Sequence, residues 1–347
     1  MEQQGQVPPD GPTLAGMGES GLLTEVFAAY AGLPDELVLV GPGDDTAHLV
    51  VKSGSLLATT DTVVRGRDWR DEWSTGEDVG IKVVTQNLAD LAAMGARGTG
   101  LLVTLVAPQD LTVDWVRRLV SGVARAAGRA GVPVLGGDLS SAAAEEVVVS
   151  VTALGELGEG VPGAVLRSGA RPGDVVAVSG PLGRSGAGLL LLQQGVVRGR
   201  DEQEERLLAH HRRPTTDLTQ GPAAARSGAR SMIDVSDGLV RDADRVARAS
   251  GVRIELDPAA VTRVAGLLVP ALDAQAALAQ VLVGGEEHEL LATFPGTGDL
   301  PPGWSQLGRV VEAGGRTAGE AQADGVGVWW EDRRLDPRGG GWDHFGG

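Results

Sequence analysis

Residues 87–96 read Asn87-Leu88-Ala89-Asp90-Leu91-Ala92-Ala93-Met94-Gly95-Ala96. Upstream, Val79, Val83, Val84, Leu88 and Leu91 recur at the three- and four-residue spacing of one helix face. The spacing predicts a helix over 77–94. Asn87 and Asp90 share a face of it, flanked by Leu88, Leu91 and Met94. A carboxylate in such company is partly buried, which is costly unless a donor or a cation meets it. Asp90 is therefore the first candidate for chemistry.

Working outward, 13–30 reads as a short amphipathic helix, and 37–40 as an apolar strand running into Gly41-Pro42-Gly43-Asp44-Asp45. Residues 48–52 and 55–60 flank Ser53-Gly54 as the arms of a hairpin would. Strands follow at 98–106, at 132–135 leading into Gly136-Gly137-Asp138, and at 147–154. Between the first two lies a helix over 113–130, closed by Gly131. The Gly- and Pro-rich stretch 155–173 sets a domain boundary. An unstructured tail over 1–12, a first domain over 13–157 and a second over 158–347 are expected. The second domain reads as strands at 175–178, 231–235, 252–256, 290–294, 306–311 and 326–331. Helices end near 194, 211, 227, 250 and 283. Both halves mix strands with long helices, so the class is α/β or α+β.

The formal net charge of −16 argues against nucleic acid, which needs a basic footprint, and against an anionic membrane surface. No apolar run is long enough to span a bilayer. The first residues lack the basic start and apolar run of a signal peptide, and there is no cysteine. A cytoplasmic location is the expectation. Only Lys52 and Lys82 are lysines, so phosphate handling here would rest on metal ions rather than ammonium groups.

No GxxxxGK[ST], protein-kinase set or HExxH is present. The positive signal is a series of carboxylates at strand ends or on apolar elements. They are Asp44 and Asp45, Asp61 after Thr59-Thr60, Asp90, Asp138, Asp234 and Asp237 in Asp234-Val235-Ser236-Asp237-Gly238, and Glu286-Glu287 after Gly284-Gly285. Singly, each is an ordinary turn or helix cap. Six clusters in one chain suit a hard divalent cation, with glycines admitting phosphate oxygens to the backbone.

The ordered set Gly43-Asp44-Asp45, Thr59-Thr60-Asp61, the 87–96 block, Gly136-Gly137-Asp138, Arg167-Ser168-Gly169-Ala170, Asp234–Leu239, Gly284–Leu290 and Gly341-Trp342-Asp343-His344-Phe345 resembles thiamine-monophosphate kinases. These belong to the superfamily of aminoimidazole ribonucleotide synthetase. The likeness runs from about Thr13 to the C-terminus. It implies a two-domain fold whose N-terminal sheet pairs with its copy in a homodimer barrel, a C-terminal α/β domain, and ATP in the cleft.

By position, the resemblance implies that Asp44, Thr59, Thr60, Asp61, Asp90, Asp138, Asp234 and Asp237 hold several Mg²⁺ ions, with Asp61, Asp90 and Asp138 at the centre of catalysis. Gly137, Asp138, Arg167 and Ser236 would meet the nucleotide. Asp68, Glu286 or Glu287, and Trp342 would face thiamine monophosphate. Two departures fall on the substrate side. Asp68-Trp69 stands where the family usually has His-Phe, and Glu286-Glu287-His288 where it often has Glu-Asp-Tyr. A sister enzyme acting on another phosphorylated acceptor, and an inactive dimeric homologue, are the alternatives.

Overall fold

A computed structural model describes residues 11–42, 46–314 and 325–337. Asp44 and Trp342, both named above, lie outside the described residues, as do Gly43, Asp45 and the first ten residues of the expected tail. The chain divides into two compact units. Among the described residues, the first unit takes the chain up to Lys52, then Ala58–Asn87 and Gly98–Leu154; the second takes Ser53–Leu57, Leu88–Arg97 and the chain from Gly155.

The first stretch of helix is broken in two, α1 (Leu14–Met17) and α2 (Glu19–Tyr30), by Gly18 at φ 73°. Then come β1 (Val38–Val40), β2 (His48–Leu49), β3 (Leu57–Val64), α3 (Gly76–Ala93), β4 (Ala96–Ala107), α4 (Val113–Ala130), β5 (Val134–Ser141) and β6 (Val148–Leu157). The hairpin expected about Ser53-Gly54 does not form. β2 turns back onto β1, while β3 joins a four-stranded sheet of order β3-β6-β4-β5. Cross-strand hydroxyls favour that partner: Thr62 Oγ1 donates to Ser150 Oγ at 3.0 Å, and Thr60 Oγ1 to the Val151 carbonyl at 3.0 Å.

β5 also departs from the expected turn. After a register shift at Val134–Gly136 it continues through Gly137 and Asp138, because parallel pairing with β4 sets Val103 opposite Gly137 and Thr104 opposite Asp138. The ladder overrides the local glycine signal. α4 forms as its sequence dictates. Thr112 accepts the Trp115 amide at its start, and Gly131 closes it at φ 69°. Val113, Val116, Val120, Val123 and Ala127 make its buried stripe.

The second unit is built on β7 (Val175–Val178), α5 (Arg184–Gln193), α6 (Glu202–Arg212), α7 (Gln220–Arg226), β8 (Ser231–Asp234), α8 (Leu239–Ser250), β9 (Arg253–Leu256), α9 (Pro258–Gly266), α10 (Ala274–Val283), β10 (Leu290–Phe294), β11 (Ser305–Val311), β12 (Gly327–Trp330) and β13 (Arg333–Arg334). Its sheet has the order β13-β12-β9-β11-β7-β10-β8. Helix α9 adds to the expected elements; Asp257 caps it, accepting the Ala259 amide at 2.8 Å, with Pro258 in its first turn. Phe294 is fully buried and meets Trp304 edge-on, ring centroids 5.3 Å apart. Among the described residues, no helix is long and apolar enough to cross a membrane.

Candidate active site

Two loops of the second unit lie backbone against backbone. One follows β8 and carries Asp234–Gly238; the other, Gly284–Glu289, links α10 to β10. The Glu286 amide donates to the Ser236 carbonyl at 2.7 Å, the His288 amide to Val235 at 2.9 Å, and the Val235 amide to Glu289 at 2.8 Å. A Cβ on Gly285 would stand 2.6 Å from the Ser236 oxygen, so only glycine permits this approach. Glu286 (φ 56°) and His288 (φ 59°) hold left-handed backbone on either side of Glu287. Such strain in non-glycine residues persists where the surroundings enforce it, and gathers at functional sites.

The first loop gathers negative charge. Asp234 is buried and pairs with His288, Oδ2 to Nδ1 at 3.2 Å. Asp237 is ion-paired with Arg245, which also reaches Asp242 at 2.5 Å. Asp242, fully buried in the first turn of α8, accepts the Asp237 amide at 2.9 Å. Its pKa is pushed up to about 7, by burial first and then by the Asp234 carboxylate, against the opposing pull of Arg245. Among the described residues, Asp234, Asp237 and Asp242 thus share the Arg245 guanidinium and the His288 imidazole.

The second loop is differently matched. Glu287 is 0% exposed. Arg184 Nε donates to its Oε1 at 2.7 Å, and the Ser185 amide at the start of α5 donates to Oε2 at 3.2 Å. His210 Nε2 stands 2.7 Å from Oε1, close but out of line for a hydrogen bond. Burial pushes Glu287 up, but His210 and Arg184 outweigh it and hold the carboxyl below its ordinary range. Arg184 Nη2 also donates to Glu289 Oε1 at 2.8 Å, and Ser179 Oγ to Glu289 Oε2 at 2.6 Å.

In the first unit, Asn87 is fully buried. Its Oδ1 accepts the Asp61 amide at 3.0 Å and its Nδ2 donates to the Val83 carbonyl at 2.7 Å. It therefore fixes β3 at Asp61. Asp61 lies in the middle of β3, and Asp138 in the middle of β5, rather than after strands. Asp68 Oδ2 closes the turn after β3 by accepting the Val64 amide at 2.7 Å, and its carbonyl accepts from the buried Lys82 Nζ at 3.4 Å.

Comparison with known proteins bears directly on this arrangement. The family models described as AIR synthase related protein, N-terminal domain and C-terminal domain, match residues 43–157 and 171–319. The thiamine-monophosphate kinase of Mycobacterium tuberculosis is 41% identical over 309 residues, covering 88% of this chain and 89% of that one. The chain belongs to the thiamine-monophosphate kinase family. The Corynebacterium glutamicum member is 36% identical, with 87% and 89% covered. Among solved structures, the thiamine-monophosphate kinase of Stenotrophomonas maltophilia K279a superimposes with a TM-score of 0.74 at 29% identity, covering 90% of this chain and 96% of that one. AaThiL complexed with AMPPCP and TMP gives 0.69 at 32%, covering 95% and 97%.

In this member of the family, Asp234, Ser236, Asp237, Glu286 and Glu287 come together on the paired loops of the second unit. Thr59, Thr60 and Asp61 are on β3 and Asp138 on β5, the opposite edges of one four-stranded sheet. Arg167 is exposed, its carbonyl accepting from Ser250 Oγ at 3.4 Å, so it sits at the far end of α8 from Ser236. That helix of 12 residues is about 18 Å long. Asp90 is half-buried on α3. Among the described residues, no group of three or more His, Asp or Glu forms a cage for an ion.

The donor chemistry nonetheless fits magnesium. The candidate ligands are carboxylate and hydroxyl oxygen donors, the kind that a hard divalent cation takes. Sequence reasoning missed Arg184, His210, His211, Asp242 and Arg245. A His-His pair at the end of α6 reads as an ordinary match to the helix dipole, and nothing in its local sequence ties it to Glu287, itself a candidate on other grounds.

Proposed function

We propose that this chain transfers the γ-phosphoryl group of ATP to thiamine monophosphate, giving ADP and thiamine diphosphate. The observation that carries the reading is the loop of Asp234, Ser236 and Asp237, packed backbone to backbone against the Glu286 loop, in a chain 41% identical to a thiamine-monophosphate kinase. AaThiL, 32% identical, holds AMPPCP and TMP together.

Asp44, Thr59, Thr60, Asp61, Asp90, Asp138, Asp234 and Asp237 would hold Mg²⁺ ions, leaving coordination positions to water and phosphate oxygens. When bound, Mg²⁺ neutralises the charge of two phosphates brought together. Ser236, Gly137 and Arg167 would orient the nucleotide. The acceptor is a phosphate monoester, already ionised near neutral pH, so no residue need act as base. One of its oxygens attacks the γ-phosphorus in line as the bond to ADP breaks. Asp61, Asp90 and Asp138 serve by position and charge.

Of the two adjacent glutamates, Glu286, 32% exposed, is assigned to the substrate cation and Glu287, 0% exposed, to holding the loop. Trp342 would stack on a thiamine ring. Asp68 keeps the turn after β3 in place at the substrate side. The edge strands β3 and β5 support a homodimer, since an unpaired edge is a natural place for a second copy. A cytoplasmic setting suits a cysteine-free chain using ATP.

The test is ADP release with thiamine monophosphate, thiamine and unrelated phosphomonoesters in parallel. ADP should form with thiamine monophosphate alone. Turnover of a different phosphomonoester in its place would favour a sister activity, and no turnover with any acceptor an inactive homologue.

A further inference from the structure

Asp234 ends β8 with its side chain 6% exposed, and a hydrogen bond to one imidazole holds its carboxylate. His288 Nδ1 lies 3.2 Å from Asp234 Oδ2, both groups buried. A carboxylate ion only accepts, so Nδ1 carries the hydrogen. Among the described residues, no other side chain or amide donates to this carboxylate. Arg245 pairs with Asp237 and Asp242 instead. The two partners are 54 positions apart and meet because Leu290, two residues after His288, pairs with Asp234 across β10 and β8.

The imidazole is fixed at its root. The His288 amide donates to the Val235 carbonyl at 2.9 Å, and its backbone is left-handed at φ 59°. His288 also stands where the family often has tyrosine, so this hydrogen bond belongs to the chain's own departure from the family pattern.

We propose that His288 is a positioning residue for the metal site, holding Asp234 Oδ2 and so leaving the other carboxylate oxygen for Mg²⁺. The proposal rests on Asp234 as a Mg²⁺ ligand, the role given to it in the proposed reaction. Mg²⁺ demands near-ideal octahedral geometry from few carboxylates, so a ligand free to turn about its own bonds serves it poorly. A donor behind the ligand sets its orientation beforehand, and loss of such a partner costs roughly ten- to a hundredfold in metal affinity. Crowding adds to the need. The Asp234 carboxylate is one cause of the raised pKa of Asp242, so the two groups repel, and the bond from His288 keeps Asp234 in place against that repulsion.

The left-handed backbone decides which substitutions are informative. Glycine and asparagine both accept it, but only asparagine offers a donor, its Nδ2 standing near the place of Nδ1. Mn²⁺ is titrated into the protein holding a stoichiometric non-hydrolysable ATP analogue, against a protein-free blank, and the EPR signal of the free ion gives the affinity without turnover. His288→Gly should weaken Mn²⁺ binding about tenfold, and His288→Asn should stay within about threefold of wild type. Asp234→Ala should weaken it more than His288→Gly does, and adding His288→Gly to Asp234→Ala should weaken it no further. If His288→Gly does not fold, His288→Gln, whose amide lies one bond further out, takes its place.

The proposal is overturned if His288→Gly binds Mn²⁺ as wild type does, if His288→Asn is as weak as His288→Gly, or if the two single losses multiply in the double variant. A lowered melting temperature of the metal-free protein with unchanged Mn²⁺ affinity would also overturn it, by showing a structural role alone. Wild-type affinity in Asp234→Ala would instead strike the assignment of Asp234 as a ligand, and the proposal with it, while ADP release with thiamine monophosphate tests the kinase reading separately.

Discussion

Glu287 and Asp242 are both fully buried in the second unit, and their acidities move in opposite directions. The difference lies in how many cations each must share. Glu287 faces Arg184 and His210 and takes an amide at the start of α5, so its charge is met within the protein. Asp242 divides Arg245 with Asp237 and lies near Asp234, so burial and repulsion prevail. One cluster is complete and holds a loop in place. The other crowds three carboxylates around Arg245 and His288. Burial alone does not separate a structural carboxylate from a functional one; the balance of partners does.

Several substitutions would break or sharpen this contrast. The largest effect on stability is expected from Glu287→Ala, which removes the fully buried carboxylate facing Arg184 and His210, leaves Arg184 with Glu289 alone, and should cost about 3–5 kcal/mol in urea unfolding. A loss well under 1 kcal/mol would mean that the network does not anchor the loop. Asp237→Asn should leave the fold intact by circular dichroism while lowering kcat/KM on the order of a hundredfold, as removal of a charge that organises a transferring phosphoryl group does. Near wild-type turnover at saturating Mg²⁺ would contradict its role. Asp242→Asn is the mildest: with the carboxyl half-protonated near pH 7, stability there should change by no more than about 1 kcal/mol.

The pH profile of stability distinguishes the two groups further. Glu287 has a lowered pKa in the fold, so its contribution is fully present above the ordinary value of 4.5 and is lost as pH falls through the lower folded value. Glu287→Gln should flatten that acid limb. Asp242 behaves oppositely. Between its ordinary 3.8 and about 7 the folded state keeps a proton that the unfolded chain has released, so stability falls as pH rises across that window. Asp242→Asn should flatten the slope there and leave the acid limb unchanged.

How much of this was legible in the sequence depended on range. α3 and α4 were readable because their apolar stripes and the Thr112 and Gly131 caps are local. α9 carried its own signal in Asp257-Pro258, a cap followed by proline in the first turn, directly after a strand. β5 was not readable through Gly136-Gly137, since its extension depends on a ladder with β4. The carboxylates were visible as types, but not their partners. Arg184 meets Glu287 across 103 positions of chain, and no spacing rule spans that distance. Asn87 was noticed as the neighbour of Asp90, yet its contact is with Asp61, 26 positions earlier.

The most direct measurement is a phosphorus NMR time course of the purified protein with ATP, Mg²⁺ and thiamine monophosphate. The account predicts that the thiamine monophosphate signal is replaced by the paired resonances of a diphosphate ester as ATP becomes ADP. The conversion should stop on addition of excess chelator and resume with excess Mg²⁺. ADP and free phosphate accumulating beside unchanged thiamine monophosphate, or full conversion in chelator, would contradict it.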